Sequence, residues 1–529
     1  MRVNALRLFM GGCFCNVPPR PLWCKLFLPL GVSCSGCGWG LFCAYPYFPC
    51  NWLRRAAWEF YNSAMDEFDV IVVGGGSGGY AAARTAAGLG LRTAVIEGGR
   101  EVGGLCILRG CMPSKTLLES AKRYRTLRRA GEYGLQAEGV GFDARQIAAR
   151  KRELIAGFAD YRRDQLMDGR FAFFRGHAEF SDPHTVVVRS PEGNRTLRGR
   201  AFVLATGSVV SVPDIPGLVD CLTSDDVLEW ESLPKSLIVL GGGPVGLEVA
   251  SFCRAFGVGV TIIQRSSRIL READCETAIA LEAALREDGI EIFTETALRR
   301  VEKDDGVFRV TFQHDGKERT IAAEQVLNAL GRHAALEGLQ GANIKIVGGR
   351  PWVSTSQQTS TSHIFAAGDV CGPLDVVHLA IQQGEVAARN IARYLRGEAE
   401  ELETMDYRLK LFVVFTHPEL AVVGASEQEL DAAGIPFFSA TYPFSDHGKS
   451  LVMGEVQGMV KLIAAADSRE ILGASVVGPE ASDLIHEIVV AMHFRATVTD
   501  LASIPHYHPT LSEIWTYPAE ELANRPGLG

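Results

Sequence analysis

Two stretches of the chain share one pattern of apolar and polar positions, in which a short β-branched, apolar run ends in a cluster of glycines and then continues into a longer apolar run. The first pairs residues 68–73 with residues 80–89, and the second pairs residues 236–240 with residues 247–256. A short, continuous apolar run that ends in glycine is typical of a buried parallel strand, and the longer run after it favours a helix. The chain is therefore predicted to contain two strand-turn-helix units.

The first glycine cluster has the spacing of a dinucleotide-binding turn. Gly74, Gly76 and Gly79 form GxGxxG, with Ser77 inside the turn, and the next predicted strand, residues 93–96, ends in Glu97. Such glycines allow a tight turn and close approach of a pyrophosphate to the helix N-terminus, while an acid about 20 residues further on accepts hydrogen bonds from ribose hydroxyls. The first unit is therefore predicted to bind a dinucleotide.

The second glycine cluster has the same spacing, but the strand that follows it does not end in an acid. Its glycines are Gly241, Gly243 and Gly246, and the predicted strand 258–263 ends in Gln264 and Arg265, with Arg268 and Arg271 close behind. An acid would repel a 2′-phosphate, whereas an arginine binds it through charge-assisted hydrogen bonds of about 1.5–3 kcal/mol each. Arg265 and Arg271 therefore favour NADPH, although Gly246 leaves NADH open and a solvent-exposed basic turn is the alternative.

Two cysteines separated by four residues lie between these units. Cys106 and Cys111 precede Pro113, Ser114 and Lys115, and an amphipathic run follows, so Cys111 is expected at a helix N-terminus. The partial positive charge there, with Arg109 and Lys115 nearby, lowers a thiol pKa and favours redox chemistry. Two ordinary buried thiols are one alternative. Half of a zinc site is another, but no second ligand pair lies close by, and no metal is predicted.

Composition limits the class of protein. The 529 residues imply several domains, and the net charge of −9 gives no basic footprint for nucleic acid. Seven of the 13 cysteines lie in the first 50 residues, and the other six suit a reduced, cytoplasmic protein without a disulfide framework.

Residues 1–64 differ in character from the rest of the chain. They are rich in cysteine, proline, glycine and tryptophan, and no charge occurs between Lys25 and Arg54. Prolines interrupt this run, and Cys34 and Cys37 form only a lone CxxC. We expect the segment to lie outside the fold, with a functional chain beginning at Met65. A membrane or targeting segment is the alternative.

Four further motifs complete an ordered set. They are the Ala-Thr-Gly turn at Thr206 and Gly207, a similar strand and turn over residues 326–332, the strand 364–369 ending in Asp369, and the run from His508 through Pro509 and Thr510 to Glu513. Together with the cysteines and the glycine turns, they resemble the flavin-dependent class I pyridine nucleotide-disulfide oxidoreductases. The resemblance covers nearly everything after Met65 and is closest to the dihydrolipoyl dehydrogenases of that family.

The resemblance implies an α/β fold with two Rossmann-like dinucleotide-binding domains and a C-terminal α+β dimerisation domain. It also implies a homodimer. The expected boundaries are a non-core extension over residues 1–64, an FAD-binding domain over 65–213 that resumes over 336–405, an NAD(P)-binding domain over 214–335, and the dimerisation domain over 406–529.

The resemblance further assigns cofactor contacts to matching residues. Those implied for FAD are Gly74, Gly76, Ser77, Gly79, Glu97, Gly104, Lys115, Ala178, Thr206, Gly207, Asp369, Leu379 and Ala380. Asp369 would bind the ribityl chain, and Leu379 and Ala380 would pass near the flavin ring. Those implied for NADPH or NADH are Gly241, Gly243, Gly246, Arg265, Arg271 and Gly331.

The implied catalytic roles fall on three pairs. Cys106 would be the interchange thiol that meets substrate, and Cys111 the thiol in charge-transfer contact with the flavin. Lys115, paired with Glu248, would approach the flavin N5 edge. His508, oriented by Glu513, would be the general acid/base, delivered from the partner subunit. Glu513 has a rival explanation, since Thr510-x-x-Glu513 is also a helix capping box.

The expected function is electron transfer between NAD(P)H and a small-molecule or lipoyl-type disulfide through FAD and a Cys106–Cys111 disulfide. Arg265 and Arg271, with Leu108 and Arg109 between the cysteines, leave an NADPH-dependent, glutathione-reductase-like enzyme as the alternative. A mercuric reductase is disfavoured because no cysteine follows Cys371. A non-catalytic flavoprotein subunit of a 2-oxoacid dehydrogenase complex is a further alternative. Trp515 is expected either to narrow the substrate entrance or to pack in the interface.

Overall fold

The structure, a computed structural model, describes residues 66–526. The predictions made for residues 1–64, including the Cys34 and Cys37 pair and the start at Met65, lie outside the described residues.

The described chain contains 23 strands. They are β1 (Asp66–Val73), β2 (Thr93–Glu97), β3 (Ala172–Arg175), β4 (His177–Asp182), β5 (Thr185–Arg189), β6 (Arg195–Leu204), β7 (Ser208–Val210), β8 (Ser236–Leu240), β9 (Gly259–Ile263), β10 (Glu291–Phe293), β11 (Ala297–Asp304), β12 (Val307–His314), β13 (Lys317–Ala323), β14 (Gln325–Asn328), β15 (Arg332–Ala334), β16 (Ile346–Val347), β17 (Arg350–Pro351), β18 (Ile364–Ala366), β19 (Leu411–Val414), β20 (Glu419–Gly424), β21 (Phe437–Pro443), β22 (Met459–Ala465) and β23 (Ile471–Gly478).

The α-helices alternate with these strands in the first two thirds of the described chain and cluster near its end. They are α1 (Ser77–Gly88), α2 (Gly104–Leu108), α3 (Cys111–Arg128), α4 (Ala144–Leu166), α5 (Ser224–Leu228), α6 (Pro244–Ala255), α7 (Cys275–Glu287), α8 (Val377–Leu395), α9 (Glu427–Ala433), α10 (Gly448–Met453), α11 (Ala481–His493), α12 (Val498–Ser503) and α13 (Thr516–Asn524). None of these helices combines the length and the apolar character that a membrane crossing requires.

The first sheet has the order β3-β2-β1-β6-β5-β4, and β18 returns from much later in the chain to pair with the end of β6. Strands β1, β2, β3, β6 and β18 run parallel, while β4 and β5 form an antiparallel hairpin beside them. Because parallel strands end at the same edge, the turns after β1, β6 and β18 lie together. Those turns carry Gly74, Thr206 and Asp369.

The second sheet is fully parallel, with the order β10-β9-β8-β14. Strand β8 ends at the second glycine turn, and β14 leads toward Gly331. A separate antiparallel sheet, β11-β12-β13, lies between β10 and β14 in the chain and was not predicted from the sequence. Its exposed, charged outer positions hide the period-two apolar pattern that would have indicated strands.

The C-terminal part is a five-stranded antiparallel sheet of order β19-β20-β23-β22-β21, against which α11 and α13 pack. Trp515 lies in the core of this part, fully buried, and its Nε1 donates a hydrogen bond to the carbonyl of Leu484. Neither expectation for Trp515 holds, because the indole is enclosed by its own chain.

Helices α1 and α8 pack closely against each other over the first sheet. A Cβ on Gly384 would lie 2.2 Å from the carbonyl oxygen of Gly78, so only glycine permits this approach. The contact brings the start of α8 beside the first glycine turn. The predicted α/β class with a C-terminal α+β domain is confirmed.

Candidate active site

A single cavity of about 1450 Å³ joins the carboxyl edges of the two parallel sheets. Ligand sites in open α/β sheets form at this edge, outside the strand ends. The cavity brings together most of the residues that the sequence singled out. These are Gly76, Ser77, Cys106, Cys111, Lys115, Gly207, Gly241, Gly243, Glu248, Arg265, Arg271, Gly331, Asp369 and Ala380.

The first glycine turn suits an anionic group. Gly74 has φ +107°, and a Cβ there would lie 2.2 Å from the carbonyl oxygen of Ala205. Helix α1 starts at Ser77, and no side chain caps it and no acid lies in its first turn. Its first N–H groups therefore face the cavity as donors, at the positive end of the helix dipole. The donor set fits the pyrophosphate of a dinucleotide such as FAD.

Glu97 and Gln264 occupy the same position in the two units, at or just beyond the end of the second strand. The Glu97 carboxylate accepts hydrogen bonds from the N–H groups of Gly75 at 2.8 Å and Gly99 at 2.6 Å. In the second unit, Gln264 Oε1 accepts from the N–H of Gly242 at 2.9 Å. The second site thus keeps a side-chain hydrogen bond to its glycine turn, but the acceptor is a neutral amide and not a carboxylate.

The three arginines after Gln264 are not equivalent. Arg268 Nη2 donates to the carbonyl of Arg271 at 3.0 Å and to that of Ala273 at 3.4 Å, so its guanidinium braces the loop. Arg265 and Arg271 are both exposed and line the cavity beside the second glycine turn. Of the three arginines after Gln264, Arg265 and Arg271 therefore line the cavity, and Arg268 does not.

Asp369 lies just after β18 in a polar cluster beneath the cavity. Ser208 Oγ donates to its Oδ2 at 2.7 Å, and Arg332 Nε donates to Ser208 Oγ at 2.9 Å. Burial raises the pKa of the Asp369 carboxyl above its ordinary value. The sequence analysis did not name Ser208 as a site residue, and it named Arg332 only as the end of the strand and turn over residues 326–332.

Cys111 is the first residue of α3, as the sequence predicted, and Cys106 lies in the short helix α2 just before it. Both are free thiols in the structure. A hydrogen bond from the Cys106 thiol and the charge of Lys115 lower the pKa of Cys111 to about 7. The same hydrogen bond, together with burial, raises the pKa of Cys106. When Cys111 is ionised, the remaining proton of the pair therefore lies on Cys106.

Lys115 and Glu248 form a close ion pair at the floor of the cavity. Lys115 Nζ lies 2.8 Å from both carboxylate oxygens, and the backbone N–H of Phe415 donates to Glu248 Oε1 at 3.1 Å. The ammonium also lies 4.8 Å from the centre of the Phe415 ring. Phe415, the residue after β19, thus belongs to the site.

His508 and Glu513 form a pair outside this cavity. His508 Nδ1 lies 2.9 and 3.0 Å from the two carboxylate oxygens of Glu513. The imidazole is 73 % exposed, whereas the Glu513 side chain is 18 % exposed. The turn Ser512–Trp515 has no side-chain cap, so the capping box from Thr510 to Glu513 does not form. His506 is separately paired with Glu487, at 2.5 Å, in a buried position.

The remaining predicted residues support the turns or lie elsewhere. A Cβ on Gly79, Gly104 or Gly246 would lie 2.6 Å or less from backbone atoms of the glycine turns, and Thr206 Oγ1 donates to the carbonyl of Ala335. The side chains of Ala178 and Leu379 pack into the core and do not line the cavity. The cavity wall at the start of α8 consists of Val376, Val377, His378 and Ala380. Of the two residues that the sequence named on this helix, Ala380 lines the cavity and Leu379 does not.

Comparison with known proteins gives two family matches. Residues 68–384 match the family model described as pyridine nucleotide-disulphide oxidoreductase, and residues 412–519 match its dimerisation domain. Among curated relatives, the dihydrolipoyl dehydrogenase of Bacillus subtilis (strain 168) is 36 % identical over 464 residues, covering 84 % of this chain and 96 % of the relative. The dihydrolipoyl dehydrogenase of Geobacillus stearothermophilus is 33 % identical, covering 87 % and 97 %.

Solved structures agree with these matches. LpdA from Mycobacterium tuberculosis aligns with a TM-score of 0.77 and 27 % identity, over 87 % of this chain and all of that one. The HOCl-induced flavoprotein disulfide reductase RclA from Escherichia coli, solved as a Cu(II) complex, aligns with a TM-score of 0.75 and 27 % identity, over 86 % and 100 %.

Proposed function

The chain belongs to the pyridine nucleotide-disulphide oxidoreductase family, and on this premise we propose that it transfers two electrons between NADPH or NADH and a disulfide through Cys106 and Cys111. The enzyme uses FAD as its prosthetic group, as its family does. The proposed substrate class is a small or lipoyl-type disulfide, as in dihydrolipoyl dehydrogenases.

One observation carries the proposal: the two cysteines meet at the N-terminus of α3, inside a cavity that also contains both glycine turns. A Cys111 pKa of about 7 provides a thiolate at neutral pH. A buried structural cysteine, such as Cys253, has its pKa raised instead.

Thiol exchange accounts for the chemistry at the cysteines. The Cys106 thiol passes its proton to His508, and its sulfur attacks the substrate disulfide, which breaks one S–S bond and forms a mixed disulfide. The leaving thiolate takes a proton from His508. The Cys111 thiolate then attacks Cys106, forms the Cys106–Cys111 disulfide and releases the second half of the substrate as a thiolate, which takes up a proton from solvent. The two electrons gained by the substrate are replaced from NAD(P)H.

FAD, when bound, supplies the two-electron relay between the nicotinamide and the cysteine pair. In our proposal Gly76 and Ser77 hold its pyrophosphate, Asp369 binds the ribityl chain, and Lys115 lies at the redox-active edge. The Glu248 carboxylate fixes the Lys115 ammonium close to the Cys111 sulfur, where it favours the thiolate.

His508 is proposed to serve the cysteines of a second copy of the chain. It lies outside the cavity, is largely exposed, and belongs to the segment that matches the dimerisation domain. Because the Glu513 carboxylate pairs with Nδ1 of His508, Nε2 is left for proton transfer, and the carboxylate stabilises the protonated imidazole.

The cytoplasmic location of the protein remains a prediction.

A spectroscopic experiment tests the proposal. When the holoenzyme is reduced with dithionite, we expect a long-wavelength absorption band that is absent from the Cys111→Ser variant, because that band needs a Cys111 thiolate against the flavin. Protein that takes up no flavin, or a band that persists unchanged in the variant, would contradict the proposal.

The nucleotide preference is a second prediction. With Gln264 in place of an acid and Arg265 beside the turn, we expect NADPH to be preferred. Replacing Arg265 by glutamine should lower kcat/KM for NADPH by about 10- to 150-fold, the equivalent of one charge-assisted hydrogen bond, and change that for NADH little.

Arg299, an exposed arginine of β11 that does not line the cavity, provides the matched control, because Arg299→Gln removes the same charge. If Arg265→Gln lowers kcat/KM equally for NADH and NADPH, this arginine does not bind the 2′-phosphate.

A further inference from the structure

A second histidine lies behind the His508 and Glu513 pair. His447 immediately precedes α10, and its side chain is fully buried. Its Nδ1 lies 2.9 Å from the hydroxyl oxygen of Ser450, which is also fully buried. The sequence analysis did not single out this residue, and the proposed chemistry has not used it.

We assign the hydrogen of the neutral imidazole to Nε2, because the backbone of Thr510, between His508 and Glu513, lies close enough to favour a ring N–H. In this tautomer Nδ1 accepts the hydrogen of the Ser450 hydroxyl. Nε2 is buried, and among the described residues no atom meets the geometry of a full hydrogen bond with it. Buried polar atoms are nearly always paired, so this donor is expected to complete its hydrogen bond with the segment around Thr510 in another state of the site.

The groups around His447 belong to the segment that carries the proposed base. Gly448 is adjacent to His508, since a Cβ on it would lie 3.9 Å from His508 Cε1. Tyr517, one turn beyond Glu513, meets the His447 ring edge to face with centroids 6.3 Å apart. Tyr517 in turn stacks on Tyr442, at 4.0 Å.

Several titratable groups face His447 from these elements. Glu513 and His508 act on it from the C-terminal segment, the first favouring and the second opposing a positive charge. Tyr442, Tyr517 and Asp446 complete the set, with the Tyr442 hydroxyl donating to the Asp446 carboxylate. Burial outweighs these charges and lowers the pKa of His447.

We propose that His447 is a positioning residue for the His508 and Glu513 pair, through the buried Nε2 donor that it presents to this segment. When His508 has given its proton away, Glu513 is left with an uncompensated negative charge. The Nε2–H of His447 then provides a donor for that charge or for the adjacent backbone, and it keeps Glu513 in place for the next proton transfer. The inference rests on the proposed role of His508 as the base.

Two substitutions of His447 distinguish the role of Nε2 from that of Nδ1. Glutamine places its amide N–H near the position of Nε2, whereas asparagine reaches only the position of Nδ1. In the holoenzyme, we expect His447→Asn to lower kcat for disulfide reduction about 10-fold and to raise the pKa in the pH profile of kcat/KM by about half a unit, because Glu513 loses a donor and becomes a stronger base toward His508. His447→Gln should restore most of kcat and the original profile.

Flavin content, dimer mass and KM for NADPH should remain unchanged in both variants. Identical behaviour of the asparagine and glutamine variants, or an unshifted profile in His447→Asn, would overturn the inference. If His447→Asn does not fold, Ser450→Ala decides, because it releases Nδ1 and should shift the profile in the same direction. Full activity of His508→Gln would instead refute the proposed base and not the placement of His447.

Discussion

Replacing Cys106 by serine will abolish disulfide turnover while NADPH still reduces the enzyme-bound flavin. A serine hydroxyl cannot form the mixed disulfide, so kcat for substrate disulfides should fall by at least about 10³-fold, as when a covalent nucleophile is removed. The nucleotide side of the cavity is untouched by this change. Steady-state assays with lipoamide and glutathione disulfide, alongside rapid-mixing measurements of flavin bleaching by NADPH, separate the two half-reactions.

Cys275 provides the control for this result. It begins α7, is partly exposed and lies outside the cavity lining, so Cys275→Ser should leave both half-reactions intact. Disulfide turnover that survives in Cys106→Ser would assign the attacking sulfur to another residue.

Replacing His508 by glutamine will lower kcat for disulfide substrates by about 10²- to 10⁴-fold, the range for loss of a general acid/base. The leaving thiolate then has to be protonated by water, so the loss should shrink as the pH falls. Measuring kcat of both proteins from about pH 5.5 to about pH 8.5, a range that brackets the usual histidine pKa, gives the loss as a function of pH. His493→Gln, which alters an exposed histidine at the end of α11, is the matched control.

Mixed dimers test whether His508 serves a second copy. A dimer of one Cys106→Ser chain and one His508→Gln chain contains one intact site if cysteines and histidine come from different chains, and none if they come from the same chain. We expect the mixed dimer to recover about half of the wild-type activity, as two-fold symmetry requires. An inactive mixed dimer would place His508 with the cysteines of its own chain.

The parallel sheets could be predicted from the sequence because their strands are buried on both faces. Residues 68–73 and 236–240 are continuous apolar runs that end in glycine, and the structure gives strands Asp66–Val73 and Ser236–Leu240. Helix α4 and the sheet β11-β12-β13 were not predicted, since their many charged positions weaken the apolar period. Their packing depends on contacts distant in the chain.

The site was predictable only where a motif fixes it. The two cysteines and the glycine turns could be identified from their spacing in the sequence. Ser208 and Phe415 act through contacts made by the fold, such as the hydrogen bonds from Ser208 to Asp369 and from the Phe415 backbone to Glu248. The proposed role of His447 could not be predicted either, because it depends on burial against a segment about 60 residues further along the chain.

Glu248 has a consequence for the charge beside the sulfur pair. Its carboxylate belongs to the helix that leaves the second glycine turn, while its two partners belong to the cysteine helix and to the C-terminal sheet. One carboxylate of the nucleotide-binding part therefore holds both the ammonium that lowers the pKa of Cys111 and the backbone of the C-terminal sheet. The charge beside the sulfur pair thus depends on how three parts of the chain are packed together.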